Sequence, residues 1–248
     1  MTLRIIQKLV LISLLSLSAL AFADDTSSST SKYFGGWYGG VQLGAANIET
    51  KSRDLDGWFG QIDQCGITPC TAKSSKTNAT VGLLLGYDYI VGSQIMGVFA
   101  EGSLGNINSK KQFTWNGGDP SYMANSEAHK LGSVRAKYGF VKDNFALYVS
   151  GGMAYSDIKQ KYQDVNLLIL NNEDKGFNKD GNHIGSVFGL GADYAINEKS
   201  SLTIDLSRYS FGSKNHEILD NADNNPQGYS YEMKDTIDTV KLEYKYRF

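Results

Sequence analysis

Downstream of residue 36 the chain alternates apolar and polar residues with a period of two, in segments of roughly ten residues. Successive side chains of a β-strand point to opposite faces, so this period predicts strands that each carry one apolar face. We predict eight such strands. They cover residues 37–46, 80–90, 94–105, 130–140, 145–155, 184–196, 200–211 and 236–248.

The connections between these strands are alternately short and long. The short ones cover residues 91–93, 141–144 and 197–199, and the long ones cover residues 47–79, 106–129, 156–183 and 212–235. Short turns on one side of a membrane and long polar loops on the other are typical of an outer-membrane barrel. The pattern therefore predicts an all-β fold, an eight-stranded antiparallel up-and-down transmembrane β-barrel with four long extracellular loops.

The last predicted strand separates its two faces most clearly. Val240, Leu242, Tyr244, Tyr246 and Phe248 alternate with Lys241, Glu243, Lys245 and Arg247. In a soluble sandwich the charged face would meet water. However, the apolar face recurs along the other strands, and the second, fourth, sixth and eighth strands all end in aromatic residues, which is typical of a periplasmic aromatic girdle. We therefore expect the apolar face to contact lipid.

The charged residues of the opposite face are predicted to lie inside the barrel. The interior of an eight-stranded barrel is just wide enough for side chains to fill it, and buried charges are tolerated when they are paired. We predict a salt-bridge network of five acids and five bases. They are Asp88, Glu101, Asp193, Asp205 and Glu243 against Arg135, Lys137, Lys241, Lys245 and Arg247. The alternative is a selectivity constriction that lines a water-filled channel.

The first residues of the chain resemble an export signal. Arg4 and Lys8 precede an apolar run over residues 9–20, and small residues flank Phe22 at positions 21 and 23. This predicts a signal peptide, residues 1–23, cleaved after Ala23, because the run is shorter than the roughly 20 residues of a spanning helix. Residues 24–36 are rich in Ser and Thr and are predicted to form a flexible N-terminal lead-in before the barrel domain, residues 37–248.

Charge and cysteine content narrow the possible partners. The chain has 24 Lys and Arg against 26 Asp and Glu, and loss of Arg4 and Lys8 would change the net charge from -2 to -4, so no nucleic-acid partner is expected. The two cysteines, Cys65 and Cys70, are predicted to form a local disulfide in an oxidising compartment. A metal site would need further ligands, and the three histidines show no paired spacing, so neither a metal nor a cofactor is expected.

Enzymatic activity is not expected from the sequence. An enzyme in a small outer-membrane barrel needs a catalytic group such as His with Ser and a carboxylate. His183 stands near Ser186 and His216 is beside Glu217, yet neither pair forms a recognisable catalytic motif. We predict no catalytic residues.

Several segments carry a family resemblance, in the order WYGGV (37–41), VFAEG (98–102), GSVRAKYG (132–139), LYVSGGMAY (147–155) and YKYRF (244–248). With these segments the chain resembles the small outer-membrane β-barrel proteins of the porin-like surface-antigen family, which includes the rhizobial and Brucella-type surface antigens, and more distantly the OmpA-type barrel. The resemblance implies an eight-stranded barrel. It also implies that Tyr244, Tyr246 and Phe248 form the signal that the outer-membrane assembly machinery recognises.

The expected function is that of an integral protein of the bacterial outer membrane with a structural and surface-interaction role, as a surface antigen or in adhesion. The expected partners are outer-membrane lipid and lipopolysaccharide, the assembly machinery, and a host surface ligand reached through the loops. One alternative is a narrow porin-like channel for small solutes or hydrophobic molecules. Another is a lipid-modifying outer-membrane enzyme. Fold alone does not decide among these functions.

Overall fold

The described residues of the chain form one closed, antiparallel β-barrel. The computed structural model describes residues 31–55, 71–115, 119–164, 176–218 and 229–248. A short helix precedes the strands, and no helix in these ranges is long and apolar enough to cross a membrane. The elements are α1 (Ser31–Phe34), β1 (Gly36–Asp54), β2 (Thr71–Val91), β3 (Gln94–Trp115), β4 (Asp119–Lys142), β5 (Phe145–Ser156), β6 (Lys159–Asp164), β7 (Gly176–Asp180), β8 (His183–Ala195), β9 (Ser200–Phe211), β10 (Lys214–Ile218) and β11 (Tyr229–Arg247).

Eight of these strands close the barrel wall. The order β3-β2-β1-β11-β9-β8-β5-β4 returns to its start because β3 also pairs with β4. The first and last wall strands pair from Tyr38↔Arg247 to Asp54↔Tyr231. The short strands β6, β7 and β10 continue β5, β8 and β9 beyond the wall. The predicted eight-stranded up-and-down barrel is therefore confirmed.

The strands extend much further than the sequence pattern predicts. Residues 47–79, 106–129, 156–183 and 212–235 were predicted to be loops, but their described parts are mostly strand. The β3–β4 pairing, for example, continues to Trp115↔Asp119. The prediction of loops was wrong there because apolar residues no longer occupy the outward face above the membrane, although the backbone pairing continues.

Above the membrane the wall divides into two sheets. One has the order β2-β1-β11-β10 and the other the order β3-β4-β6-β7. Among the described residues, backbone pairing between β2 and β3 ends at Thr80↔Gly105, and β7 and β10 each pair with one neighbour only. Both sheets are continuations of the barrel wall toward the outside.

The short turns at the other end have the residues that their backbone requires. Gly92 and Asp143 have positive φ angles of 59° and 54°. Glycine adopts this left-handed region freely, and aspartate is among the few other residues that tolerate it. In the third turn the Asn197 side-chain oxygen accepts hydrogen bonds from the backbone N–H groups of Lys199 and Ser200, both 2.9 Å long. These turns fix the strand register at the periplasmic end.

A belt of apolar side chains surrounds the barrel. Leu43 is 64% exposed and Leu83 66% exposed, and every wall strand contributes similar outward residues. Exposed rings lie at the short-turn end, where Trp37 and Tyr87 have centroids 5.3 Å apart and Tyr246 and Phe248 have centroids 6.0 Å apart. An uninterrupted apolar belt far exceeds the patches that soluble monomers expose, so lipid must cover it.

Candidate functional site

The middle of the barrel interior contains a closed ring of ion pairs. Arg135 Nη2 lies 2.6 Å from Glu101 Oε1, and Arg135 Nη1 lies 3.2 Å from Asp205 Oδ2. Lys241 Nζ lies 2.5 Å and 3.3 Å from carboxylate oxygens of the same two acids. The Tyr209 hydroxyl donates a further hydrogen bond to Glu101. Two acids and two bases neutralise one another, which allows all four to be buried.

A second charged layer lies closer to the periplasm. Lys137 Nζ lies 2.9 Å from Asp88 Oδ2 and 3.7 Å from Asp193 Oδ2. Lys245 Nζ lies 3.0 Å from Asp193 Oδ1 and 3.4 Å from Glu243 Oε2. All five residues are buried. The two layers together hold nine of the ten charged residues that the strand pattern places inside the barrel.

Two tyrosine rings fill the space around the second layer. The Nζ atoms of its two lysines lie 4.6–5.6 Å from the ring centroids of Tyr38 and Tyr148. Gly86 faces the Tyr38 ring and Gly191 faces the Tyr148 ring, and a Cβ atom on either glycine would overlap the phenol. Both rings need a glycine opposite them, so the interior is packed with side chains at this level.

The periplasmic mouth is closed by the tenth charged residue and by α1. Phe34 is fully buried there, against a set of apolar residues. These are Ile95, Val141, Ala146 and Ala195. Arg247 lies with its guanidinium carbon 5.3 Å from the Phe34 ring centroid, donates to Ser201 Oγ over 3.1 Å, and forms no salt bridge among the described residues. The flexible lead-in predicted for residues 24–36 therefore does not extend to Phe34.

The outer part of the interior is apolar, which the strand pattern does not predict. Eleven buried residues form this cluster. They are Ala46, Ile48, Ile107, Ala128, Leu131, Ala154, Ile158, Val187, Tyr209, Phe211 and Ile237. The sequence of β11 does carry a sign of this cluster, because the apolar Ile237 lies on the inward face whereas the apolar Val240 lies on the outward face.

A polar group lies above this apolar cluster, outside the membrane. The Asp235 carboxylate accepts hydrogen bonds from Thr50 Oγ1 at 2.6 Å and from Gln160 Nε2 at 2.7 Å. Burial raises the pKa of the Asp235 carboxyl, and these hydrogen bonds offset only part of that shift. Asp235 therefore binds its proton more tightly than an exposed aspartate does.

The structure separates His183 from the serine considered with it. His183 is buried in the interior with its ring perpendicular to that of Phe211, whereas Ser186 is exposed on the outward face of the same strand. His129 is exposed on β4. Among the described residues, no three His, Cys, Asp or Glu side chains could hold a metal ion together.

Other predicted features are left untested. Residues 1–23, Cys65 and Cys70 lie outside the described residues, as do the side chains of His216 and Glu217. Cleavage after Ala23 and the disulfide therefore stay predictions. Tyr244, Tyr246 and Phe248 lie exposed at the periplasmic end of β11, and their role in assembly is also still a prediction.

Comparison with known proteins gives one family and a set of similar folds. Residues 9–248 match the model of the outer membrane protein beta-barrel domain family. The outer membrane protein OprG from Pseudomonas aeruginosa is 14% identical, with a TM-score of 0.52 over 87% of this chain and 98% of that chain. The outer membrane protease OmpT from Escherichia coli is 11% identical, with a TM-score of 0.46 over 92% and 99%. No curated protein sequence matches the chain significantly.

Proposed function

Because the chain belongs to the outer membrane protein beta-barrel domain family and is a protein of the bacterial outer membrane, we propose that it serves as a closed, non-conducting anchor for a surface-interaction platform. The observation that carries this proposal is the series of buried side-chain layers across the interior. The interior contains four groups of buried side chains in order from the periplasm outward. They are Phe34 with Arg247, the second charged layer, the ring of ion pairs and the apolar cluster.

The charged layers argue against the narrow-channel alternative. The side chains of Arg135, Glu101, Lys137 and Asp88 are at most 1% exposed. A solute would have to separate these ion pairs, and an unpaired buried charge costs roughly 3–5 kcal/mol. Apart from the Tyr209 hydroxyl, which is bonded to Glu101 and Lys241, the side chains of the apolar cluster above them offer a permeating ion no polar ligand.

The platform is the part of the wall that continues beyond the membrane. In β1 the residues from Asn47 to Asp54 remain paired with β11, which raises the strand ends about 20 Å above the lipid belt. Binding residues are commonly carried by loops on such a rigid scaffold. The partner proposed for it is a ligand on a host surface.

Planar-bilayer recording of the refolded mature protein tests the closed barrel. We expect no discrete openings, with heat-modifiable migration on gels verifying that the protein in the same sample is folded. Reproducible unitary openings from the wild-type barrel would contradict the proposal and favour the channel.

Shortening the extracellular hairpins one at a time tests the platform. Removing residues 110–125 and joining the register partners Ser109 and Ser126 with an Asn-Gly turn should leave the membrane barrel intact. We expect at least one of the four shortened variants to lose attachment of bacteria to host cells. Wild-type attachment by all four would argue against the interaction role.

A further inference from the structure

A β-bulge on β4 turns two consecutive basic side chains outward. His129 and Lys130 are both exposed, although neighbouring residues of a regular strand point to opposite faces. Their backbone N–H groups both donate to the Asp157 carboxylate, at 2.9 Å and 2.7 Å. Between the pairs Leu131↔Ser156 and Glu127↔Lys159, β4 has three residues opposite two, which places the extra residue of the bulge on β4. Bulges commonly serve to redirect a side chain.

The bulge lies at the outer border of the lipid belt. Lys130 is the register partner of Leu104, which is the last exposed apolar residue of the belt on β3. Val134 continues the belt below Lys130 on β4. A lysine at this depth covers apolar surface with its methylene stem and holds its ammonium at the level of lipid headgroups.

Further lysines continue outward from the bulge on the same face. Asn125 of β4 is the register partner of Lys110 on one side and of Lys161 on the other. One row below, Glu127 is the register partner of Lys159. Among the described residues, the ammonium groups of Lys110, Lys130 and Lys161 form no salt bridge.

The charge of this outward face, which we call the basic face, is unbalanced. Over residues 106–110, 125–130 and 157–161 it has four lysines, Lys110, Lys130, Lys159 and Lys161, against two acids, Glu127 and Asp157. In the other extracellular sheet, the two central strands β1 and β11 have equal numbers of bases and acids at the outward positions of residues 47–53 and 232–238. The bases are Lys51, Arg53 and Lys234, and the acids are Glu49, Glu232 and Asp238.

We propose that the basic face binds a phosphorylated glycolipid of the outer leaflet. The acyl chains lie against the belt at Leu104 and Val134, and the phosphate groups accept hydrogen bonds from Lys130 and from the lysines above it. Lysine ammonium groups bind phosphate as point charges, and each basic residue near an anionic membrane surface adds to the attraction. Asparagine side chains between the lysines can donate to sugar hydroxyls.

The position of the basic face favours a lipid over a soluble partner. It begins in register with the apolar belt, so a molecule that spans both surfaces needs an apolar part and an anionic part. A lipid fulfils both conditions and lies beside this face in the membrane. A soluble acidic protein would contact only the upper rows.

Native mass spectrometry of the detergent-solubilised full chain tests this binding, with bisphosphorylated lipid A as the probe. The test variant replaces Lys110, Lys130 and Lys161 with Ser. The control variant replaces Lys142, Lys199 and Lys234 with Ser, which removes the same charge from exposed positions elsewhere. We expect binding about fivefold weaker for each lysine removed from the basic face, or about a hundredfold weaker in total.

The control variant should bind lipid A as the wild type does, and dephosphorylated lipid A should bind the wild type as weakly as phosphorylated lipid A binds the test variant. Equal loss of binding in the test and control variants would overturn the proposal. So would wild-type affinity in the test variant, or equal binding of the dephosphorylated lipid. Heat-modifiable migration of all three proteins verifies that each is folded.

Discussion

Two parts of one strand have opposite polarity. In the membrane, β11 points Leu242 outward and buries Lys241 in the interior. Above the membrane, the same strand buries Ile237 in the interior and points Lys234 outward. Odd-numbered residues face inward in both parts, so the backbone does not shift between them. The reversal shows that the medium outside the wall, not the strand itself, decides which face is apolar.

The first strand repeats this reversal. Within the belt, Leu43 faces lipid and Gln42 faces the interior, whereas above the belt Ile48 is buried and Lys51 is exposed. The membrane part therefore holds its interior together with ion pairs and hydrogen bonds. The extracellular part packs apolar side chains inside, as a soluble barrel does.

The largest effect should follow from removing a buried charge of the membrane part. Arg135→Ala leaves Glu101 and Asp205 with Lys241 as their one remaining basic partner among the described residues. We expect the free energy of unfolding in lipid vesicles, measured with urea, to fall by about 3–5 kcal/mol.

The matched control is an ion pair on the outward surface. Arg208, whose side chain is 57% exposed, lies 2.6 Å from Asp238 across β9 and β11. Arg208→Ala should cost only about 0–1 kcal/mol. Equal losses in the two variants would show that the interior ion pairs are not buried as described.

A somewhat smaller effect should distinguish lipid from water along one face of β11. Leu242→Arg places a charge in the belt and should cost about 2–4 kcal/mol in the same measurement. Thr236→Arg places it on the same outward face, six residues away along the strand but above the belt. That variant should stay within about 0.5 kcal/mol of the wild type. Similar losses in the free energy of unfolding at both positions would show that the membrane border does not lie between Thr236 and Leu242.

The lengths of the strands were only partly predictable from the sequence. The wall was found because an apolar outward face repeats through eight segments. The extensions were missed because above the border the apolar residues change face, so the alternation around Ile237 and Val240 looks interrupted although pairing continues. The sequence pattern therefore detects strands whose apolar face stays on one side, and it does not detect a strand whose apolar residues change side.

The sequence predicts the interior residues correctly where the odd or even position along a strand is enough to decide which face a side chain occupies. Glu101, Arg135 and Asp205 fall on inward positions of their strands, but which acid meets which base depends on distances across the barrel. Phe34 could not be placed because it lies in a four-residue helix within a Ser- and Thr-rich segment. No periodic signal identifies so short a contact.

The smallest effect concerns the polar group above the apolar cluster. Because burial raises the pKa of Asp235 above its unfolded value, its contribution to stability is present at low pH and is lost as pH rises through the folded pKa. Relative to Asp235→Asn, the wild type should lose stability as the pH rises above about 4, the ordinary pKa of an aspartate. Parallel pH profiles of the two proteins would show that Asp235 is not buried as described.

The polarity reversal is tested most directly by spin labels at outward positions of β11. Single cysteines at Lys234, Thr236, Val240, Leu242 and Tyr244 would be labelled in a Cys65→Ser, Cys70→Ser background, with the protein in lipid vesicles. We expect collisions with oxygen to dominate at 240, 242 and 244, and collisions with a water-soluble nickel chelate to dominate at 234 and 236. Oxygen-dominated collisions that persist through 234 would contradict the account, since the outward face would then be in lipid along its whole length.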